Sequence, residues 1–184
     1  NRGAWSVAAY KIQKRKPLSR DASDPAVSQQ VGQQSSQGIE ATLDLALTRT
    51  LRLEANAARL RARYDDFNER VGNRLISRAG NTPKEVPEAS ANVWLHWRFL
   101  PQWEAGLGLR HVGSRQVDDA NTRKIGSYTV ADASVSWQAN PSLKLALRAF
   151  NLGDRKYPVS FSNGGNQWLL GRPRSFEVSA LVKF

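Results

Sequence analysis

The strongest constraint on the fold lies in the last nine residues, FEVSALVKF, where apolar and polar side chains alternate. One face of an extended strand would carry Phe176, Val178, Ala180, Val182 and Phe184. A strand with one apolar face and a terminal aromatic residue is typical of a transmembrane β-barrel, because one face meets lipid and the other a wet lumen. Strands of soluble sandwiches alternate in the same way, so the tail alone leaves both folds open.

The same period of two recurs along the chain and predicts an all-β fold. The predicted strands cover about residues 4–13, 32–47, 51–64, 87–99, 103–113, 127–138, 142–153 and 173–184. Residues 51–64 are rich in Ala, Leu, Arg and Glu, so helix propensity alone favours a helix there. We predict a strand, because the neighbouring segments all alternate.

The predicted connections alternate between short and long. Short links fall at 48–50, 100–102 and 139–141, and long polar ones at 14–31, 65–86, 114–126 and 154–172. In an up-and-down barrel every second connection lies on the same rim, so all short turns would lie at one end and all long loops at the other. The prediction is an antiparallel up-and-down transmembrane β-barrel segment of about eight strands.

The two faces of the predicted strands differ in polarity. In the fourth strand the face that we name the outer face would carry Ala89, Ala91, Val93, Leu95, Trp97 and Phe99. The opposite face, named the inner face, would hold the charges of Arg98, Glu104, Arg110, Asp132, Lys144, Arg148 and Glu177. A dry core does not tolerate unlike charges at this density, whereas a water-filled or plugged lumen does.

Aromatic residues collect beside the predicted short turns or at the terminus, namely Trp97, Phe99, Trp103, Trp137 and Phe184. Such a ring at one rim predicts an aromatic girdle at the membrane interface. Trp5 and Trp94 do not fit this ring, and the first strand fits either face.

Composition excludes several other classes. The mean hydropathy is −0.53, and no stretch approaches the roughly 20 apolar residues of a spanning helix. The absence of cysteine removes disulfides and thiolate chemistry. The net charge of +11 suits an anionic partner, but the cations are scattered and no nucleic-acid module accompanies them, so we expect no nucleic-acid binding.

No catalytic or metal-binding constellation is visible, and we predict neither an enzyme nor a cofactor. The only histidines, His96 and His111, have opposite predicted orientations, and His111 suits a membrane interface. The carboxylate pairs at 65–66 and 118–119 lack the ligand spacing of a calcium loop. Hydrolase, zincin and P-loop motifs are absent from the sequence.

Several runs resemble a known family. VGQQSSQGIEATLDL (31–45), the string VGSR…AN…SYTVADAS (112–134), NLGDRKY (151–157) and LLGRPRSFEVSALVKF (169–184) are similar to the carboxy-terminal part of TonB-dependent outer-membrane receptors, most closely ferric-siderophore receptors. The similarity covers nearly the whole chain. It is specific for the superfamily and weak for the ligand.

The resemblance implies a domain organisation. In that family a 22-stranded barrel encloses a plug domain, and residues 1–184 would form the last eight strands without the plug. Both chain ends would then lie on the periplasmic side of a Gram-negative outer membrane. The chain begins at Asn1 without a signal sequence, which favours an internal start. An isolated eight-strand piece would either leave two unpaired edges or close as a small barrel.

The resemblance also implies partners: a ferric siderophore, TonB, the plug, outer-membrane lipid and the barrel assembly machinery. The five alternating residues of the last strand would be the assembly signal. Predicted ligand contacts in the loops are Arg115, Arg123, Lys124, Tyr157, Asn166 and Trp168, and the charges of the inner face would contact the plug. Two alternatives stay open, namely an autonomous eight-stranded barrel acting as an anchor or adhesin, and a soluble lipocalin-like binder.

Overall fold

The computed structural model describes residues 2–15, 18–20, 28–30, 32–162 and 167–183. Strands are numbered in chain order as β1 (Gly3–Arg15), β2 (Leu18–Arg20), β3 (Ser28–Gln30), β4 (Gln33–Ala46), β5 (Leu51–Asp66), β6 (Asn68–Val71), β7 (Arg74–Ser77), β8 (Ala89–Leu100), β9 (Trp103–Val112), β10 (Arg115–Gln116), β11 (Lys124–Ile125), β12 (Tyr128–Asn140), β13 (Leu143–Phe150), β14 (Pro158–Ser162), β15 (Gln167–Leu170) and β16 (Ser175–Val182). Over these described ranges, no helix is both long and apolar enough to cross a membrane.

Eight of these strands form one antiparallel sheet in the order β1-β4-β5-β8-β9-β12-β13-β16, so each pairs with its sequence neighbour within the sheet. This is the predicted up-and-down arrangement, and all eight predicted strands are confirmed. The sheet does not close on itself: among the described strands β1 and β16 each pair on one side only. Of the two geometries that the sequence left open, a closed small barrel and an open curved sheet, the described strands form the open sheet.

Cross-strand register confirms the two faces. Val135 pairs with Ala105 on one side and with Leu147 on the other, which aligns apolar residues across the outer face. One residue away, Ser134 pairs with Gly106 and Arg148 on the inner face. The alternation therefore runs in step across neighbouring strands, because opposite residues of an antiparallel pair point to the same side.

The connections separate by length as predicted. The short turns cover 47–50, 101–102 and 141–142, and the long loops cover 16–32, 67–88, 113–127 and 151–174. Four additional two-stranded hairpins, β2-β3, β6-β7, β10-β11 and β14-β15, lie within the long loops. The prediction missed them because strands of two to five residues carry too little alternation to detect.

Two local predictions have a clear outcome. Residues 51–64 are a strand, because the sheet pairs β5 on both sides and tertiary pairing overrides helix propensity. The predicted strand 142–153 was too long, since β13 ends at Phe150. Asn151 adopts a left-handed conformation with φ of 50°, which cannot continue a strand.

Burial is concentrated at the end of the sheet that carries the long loops. The buried apolar side chains are Ala62, Tyr64, Phe67, Ile125, Tyr128, Val130 and Tyr157. The middle of the sheet is exposed on its outer face, where Leu107 is 52% and Val178 79% exposed. We name the packed region at the loop end, comprising these seven residues with Asp119 and Asn151, the loop cap.

Candidate functional site

The inner face is a polar wall of matched charges. Arg52 on β5 donates to both Asp44 oxygens, at 2.8 and 2.5 Å, and lies 3.3 Å from Glu54. Nearer the end of the chain, Arg148 Nη1 donates to Glu177 Oε1 at 3.3 Å. Because the partners lie on the same or adjacent strands, the wall positions its own counter-charges and suits a hydrated interior.

Trp94 lies on the inner face, which explains why it does not fit the girdle. A Cβ atom added at Gly108 would lie 2.6 Å from Trp94 Cζ2, and one at Gly106 would lie 3.4 Å from Cζ3. The indole therefore covers the bare backbone of these two glycines on β9. Its ring also stacks on that of His96, with centroids 5.9 Å apart and an interplanar angle of 21°.

The girdle forms a continuous row of rings on the outer face at the turn end. Trp97 contacts Phe99 with centroids 5.5 Å apart, and Phe99 contacts Trp103 at 6.3 Å. Trp103 stacks on Trp137 at 5.5 Å and 12°. Phe184, the fifth predicted member, lies outside the described residues. Trp5 pairs in register with Leu43 and is 76% exposed, which places it on the outer face.

In the loop cap, two long loops are joined through Asp119, whose side chain is only 2% exposed. The Tyr64 hydroxyl donates to Asp119 Oδ1 at 2.6 Å, and Lys84 Nζ lies 3.2 Å from Oδ2. Asn121, with φ of 58°, completes the junction: its side chain accepts from Thr82 N and donates to Thr82 O. This network holds loops 67–88 and 113–127 against each other.

Asn151 is the centre of a second junction, between three segments. Its Nδ2 donates to Arg155 O at 2.9 Å and Arg172 O at 3.0 Å, while its Oδ1 accepts from Arg155 N at 3.0 Å. Its own N–H donates to Asp132 Oδ1 on β12 at 2.7 Å. The run NLGDRKY is therefore a turn that fixes the end of β13 and the entry to β16.

Asp154, in the same turn, faces the segment that precedes β16. Arg174 N donates to Asp154 Oδ1 at 3.1 Å, and its guanidinium lies 3.5 Å from Oδ2. The backbone hydrogen bond from Arg174, supported by the guanidinium charge, holds the pKa of the Asp154 carboxyl below its ordinary value. The exposed ion pair therefore tethers this junction while the carboxyl is ionised and is lost as the pH falls through its lowered pKa.

Two of the six predicted loop residues are buried. Arg115 is 6% exposed and donates from Nη2 to the carbonyls of Pro158 and Val159. Tyr157 is 3% exposed, and its ring lies 4.3 Å from that of Tyr128. Ligand contact by these two residues stays a prediction, and their burial favours a role in holding β14 against the sheet.

Three others lie together at the surface. The Arg123 guanidinium is 5.9 Å from the Phe161 ring centroid, and the Phe161 and Trp168 centroids are 3.7 Å apart. Lys124 is exposed next to Arg123, and Trp168 is 53% exposed. Sequence reasoning missed Phe161, which connects the predicted Arg123 and Trp168. The sixth predicted residue, Asn166, lies outside the described residues.

The predicted assembly signal lies on an open edge. Phe176 is 67%, Val178 79% and Val182 51% exposed, and Ala180 is exposed between them. These residues belong to β16, whose described partner is β13 alone. The four share the outer face, and Phe184 lies beyond the described part of the chain. An assembly role stays a prediction.

The histidines do not converge. His96 lies on the inner face, with its ring nitrogens 4.0 Å from Glu54 and 3.9 Å from Glu104. His111 lies on the outer face, and its Nδ1 forms a 2.9 Å hydrogen bond with Thr129 Oγ1. Over the described ranges, no group of three His, Cys, Asp or Glu side chains is arranged to hold a metal ion.

Sequence reasoning also missed Asp119 as a buried junction and Asn151 as a turn centre. The sequence analysis considered Asp119 only as half of a carboxylate pair without calcium-loop spacing, whereas its side chain is almost fully buried. The resemblance runs contained both residues, but only the folded loops show which of their atoms meet.

A two-faced antiparallel sheet with an aromatic row at one rim and packed loops at the other defines part of the wall of a membrane β-barrel. The family model for the TonB-dependent receptor-like β-barrel matches residues 1–152, so the chain belongs to that family.

Among curated relatives, the chain is 30% identical over 186 aligned residues to the ferrichrome outer membrane transporter/phage receptor of Escherichia coli, covering 96% of this chain and 24% of that protein. It is 31% identical to the ferrioxamine receptor of Yersinia enterocolitica, covering 83% of this chain and 21% of that protein. The chain therefore spans about a quarter of the length of these relatives.

Among solved structures, the siderophore receptor PiuA from Acinetobacter baumannii superposes with a TM-score of 0.80 at 23% identity, covering 98% of this chain and 26% of that one. The ferric yersiniabactin uptake receptor FyuA from Yersinia pestis gives 0.80 at 17%, covering 100% and 28%. At these identities the likeness establishes the fold alone.

Proposed function

We propose that residues 1–184 form the carboxy-terminal part of the barrel wall of an outer-membrane receptor that imports a ferric siderophore with energy supplied through TonB. The observation that carries this proposal is the family match over residues 1–152, on a sheet with one apolar and one charged face. The relatives named for ferrichrome and ferrioxamine support the ligand class.

In this proposal the remaining strands pair with the free edges of β1 and β16. Unpaired backbone groups are very costly in hydrocarbon, so an open sheet needs neighbours on both sides. This argument favours a wall segment over an autonomous eight-stranded barrel and over a lipocalin-like binder, both of which close. Both chain ends would lie at the periplasmic rim, and the outer membrane would be that of a Gram-negative cell.

The inner face would contact a plug domain. Its described polar groups include ion-paired side chains and the His96 ring, which lies between two carboxylates. A plug with complementary polar groups would replace water along this wall. The chain itself would perform no catalysis, and it would need no cofactor.

The siderophore would meet the cluster of Arg123, Phe161 and Trp168, together with Lys124. Cations suit the anionic groups of a ferric chelate, and the exposed aromatic rings offer flat contact surface. The junctions at Asp119 and Asn151 would hold this cluster in place.

The test is uptake of radio-iron-labelled ferrichrome and ferrioxamine by cells that lack their own receptors and carry the full-length protein. We expect energy-dependent import of at least one chelate, abolished by deletion of TonB. A full-length protein that reaches the outer membrane yet imports neither these chelates nor a wider panel of ferric siderophores would refute the proposal.

The loop cluster has a separate test. Trp168→Ala combined with Arg123→Gln should weaken binding of the imported chelate by about tenfold or more, because a stacking surface and a charge are lost together. Trp5→Ala is the matched control, since it removes an exposed tryptophan from the outer face. Equal affinity of the double variant and the control would contradict the assignment of these loops.

A further inference from the structure

Residues 82–88, at the end of loop 67–88, run antiparallel to loop 113–127 and are hydrogen bonded to it along their length. The backbone N–H groups of Thr82, Lys84, Glu85 and Glu88 donate to Asn121 Oδ1, Asp119 Oδ1, Gln116 O and Ser114 O, respectively. The two loops therefore fix this segment together, and with it the positions from which its side chains project.

Glu85, in the middle of this segment, has a backbone conformation that its residue type disfavours. Its φ is 62°, in the left-handed region. Over the described ranges the other non-glycine residues with positive φ are Asn121, Asn151 and Asp154, whose short polar side chains make this region tolerable. Glycine would adopt the conformation without strain. The side chain of Glu85 is therefore what distinguishes it from the residue that the backbone favours.

The Glu85 carboxylate joins the segment to loop 151–174. Its Oε1 accepts a hydrogen bond from the Ser160 hydroxyl on β14. At the two preceding positions, 158–159, the backbone carbonyls accept from Arg115 Nη2. Three consecutive residues of β14 are thus held by side chains of loops 67–88 and 113–127. The next residue is Phe161, which belongs to the cluster proposed to meet the siderophore.

The same junction contains buried polar atoms without partners. Arg115 is 6% and Gln116 8% exposed, and neither Arg115 Nη1 nor Gln116 Oε1 forms a hydrogen bond within the part of the chain that the structure describes. Buried polar groups are ordinarily paired, because an unpaired one keeps the full cost of leaving water. A strained backbone and unpaired polar atoms at one junction are typical of a functional site rather than of a purely structural contact.

The contact at Ser160 controls the part of the hairpin that carries the aromatic rings. Phe161 directly follows Ser160, and its ring lies 3.7 Å from that of Trp168 on β15. Arg115 holds the base of the hairpin through backbone carbonyls, while Glu85 holds the strand one residue before the ring pair. Two attachments side by side prevent rotation about either one, so loss of the Glu85 contact would let the outer part of the hairpin take several orientations.

From this arrangement we infer that Glu85 is a positioning residue, which acts through Ser160 to fix the orientation of the β14-β15 hairpin. The ring pair of Phe161 and Trp168 is thereby presented to the siderophore. The inference rests on the proposed function and adds to it a residue, outside the ligand cluster, that sets the geometry of that cluster. Preorganised rings bind more tightly because the hairpin is already ordered before the chelate arrives.

The first measurement follows the orientation of the hairpin in the full-length protein in lipid vesicles. Nitroxide labels are attached after Leu169→Cys on β15 and Leu107→Cys on the outer face of β9, where the native side chains are 59% and 52% exposed. Residues 1–184 contain no cysteine, and any cysteine elsewhere in the full-length protein is replaced by serine. Pulsed electron paramagnetic resonance gives the distance distribution between the labels, whose width reports how many orientations the hairpin takes.

The variants separate the carboxylate from its surroundings. E85A and S160A each remove one partner of the contact, and E85A/S160A removes both. E85Q keeps an oxygen that accepts from Ser160. E88A is the matched control, because it removes an exposed carboxylate from the same segment and leaves the backbone N–H that donates to Ser114 O.

We expect E85A and S160A to widen the distance distribution at least about twofold, since the hairpin loses one of its two attachments. Binding of radio-iron-labelled ferrichrome or ferrioxamine, whichever the unmodified protein binds, should weaken by about five- to tenfold. The double variant should equal either single variant, because all three lack the same contact. E85Q and E88A should match the unmodified protein in both measurements.

The variant E85G distinguishes positioning from stability. Glycine relieves the left-handed strain, so E85G should resist urea better than E85A. It also lacks the carboxylate, so it should bind the chelate as weakly as E85A. Binding by E85G at the strength of the unmodified protein would overturn the inference, because the backbone rather than the carboxylate would then set the hairpin.

Three further results would also overturn the inference: unchanged distance distributions in both E85A and S160A, a loss in E85Q equal to that in E85A, or an equal loss in E88A. The proposed function fails separately, if the unmodified full-length protein imports neither of the two chelates nor any of a wider panel. The distance distributions then still decide whether Glu85 positions the hairpin.

Discussion

The eight-stranded sheet, which we call the wall, and the loop cap differ in how their side chains are packed and exposed. In the wall, both faces of each strand are accessible, and apolar residues such as Leu107 and Val178 are half exposed or more. In the loop cap, Phe67, Tyr128 and Tyr157 are at most 7% exposed, and polar groups such as Asn151 are fully hydrogen bonded inside it. The wall has one face suited to lipid and one suited to water or a plug, whereas the cap packs like the core of a water-soluble protein.

The difference between the two regions predicts how a substitution in each of them lowers the stability of the protein. A change in the wall acts through what lies outside the protein, namely lipid on one face and water or a plug on the other. A change in the cap acts through packing and hydrogen bonds inside the chain.

The largest effect is expected from Asn151→Ala in the cap. The substitution removes three part-buried hydrogen bonds, namely those to the carbonyls of Arg155 and Arg172 and that from the N–H of Arg155, each worth about 0.5–1.5 kcal/mol. It also places Ala at a left-handed backbone position, which adds strain. We expect the free energy of unfolding of the full-length protein to fall by about 3 kcal/mol or more, measured by urea titration in lipid vesicles.

The control for this prediction is Asn140→Ala at the turn end. Asn140 Oδ1 accepts one exposed hydrogen bond from Ser142 N, so its loss should cost less than about 1 kcal/mol. Similar losses for the two variants would show that the cap is not packed more firmly than the rim.

Next in size is the contrast between the two faces of β12. Val135→Arg puts a charge on the outer face and should cost about 2–4 kcal/mol near the bilayer midplane. Ser136→Arg lies on the inner face opposite Glu104 and should cost little, since it gains a counter-charge. Unfolding in vesicles measures both, and equal costs would contradict the assignment of the faces.

A smaller effect is expected where Trp94 covers the backbone of β9. Gly108→Ala would place a Cβ against the indole and should cost about 1–3 kcal/mol, because either the ring or the strand must move. Gly126→Ala is the control, since nothing lies within 4 Å of its added Cβ. In a double-mutant cycle Trp94→Ala should remove most of the penalty at Gly108, and a persisting penalty would assign it to the backbone instead.

The smallest expected effect is on the pH dependence of the free energy of unfolding. The folded-state pKa of Asp154 is lowered, so its pairing with Arg174 stabilises the protein above the unfolded-state pKa of about 3.9 and is lost as the pH falls through the folded value. Asp154→Asn should abolish this part of the pH dependence while leaving stability nearly unchanged at pH values below the folded-state pKa of Asp154. The measurement is urea unfolding between pH 2 and 7, and identical pH profiles of the two proteins would exclude the linkage.

Much of the wall followed from the sequence because its information is local. Apolar alternation specifies the face, the short links specify the turns, and pairing of sequence neighbours gives the strand order. The ends were less certain: the strand predicted at 142–153 runs three residues past Phe150, where β13 ends and Asn151 takes a left-handed backbone.

The loop cap was much harder to predict because its contacts join residues that are far apart in the chain. Tyr64 meets Asp119, and Arg115 reaches the carbonyls of Pro158 and Val159. Polar loop residues look alike in a sequence whether they are solvated or buried, so Arg115 and Tyr157 were predicted at the surface with Arg123 and Trp168.

The amino-acid sequence by itself determined an antiparallel sheet with an apolar and a polar face, because apolar and polar side chains alternate along each strand. Only the tertiary structure decided that the sheet stays open at β1 and β16 among the described strands, and which loop residues are buried. These features depend on register across strands and on contacts between distant loops, and neither is fixed by the order of residues within a single segment.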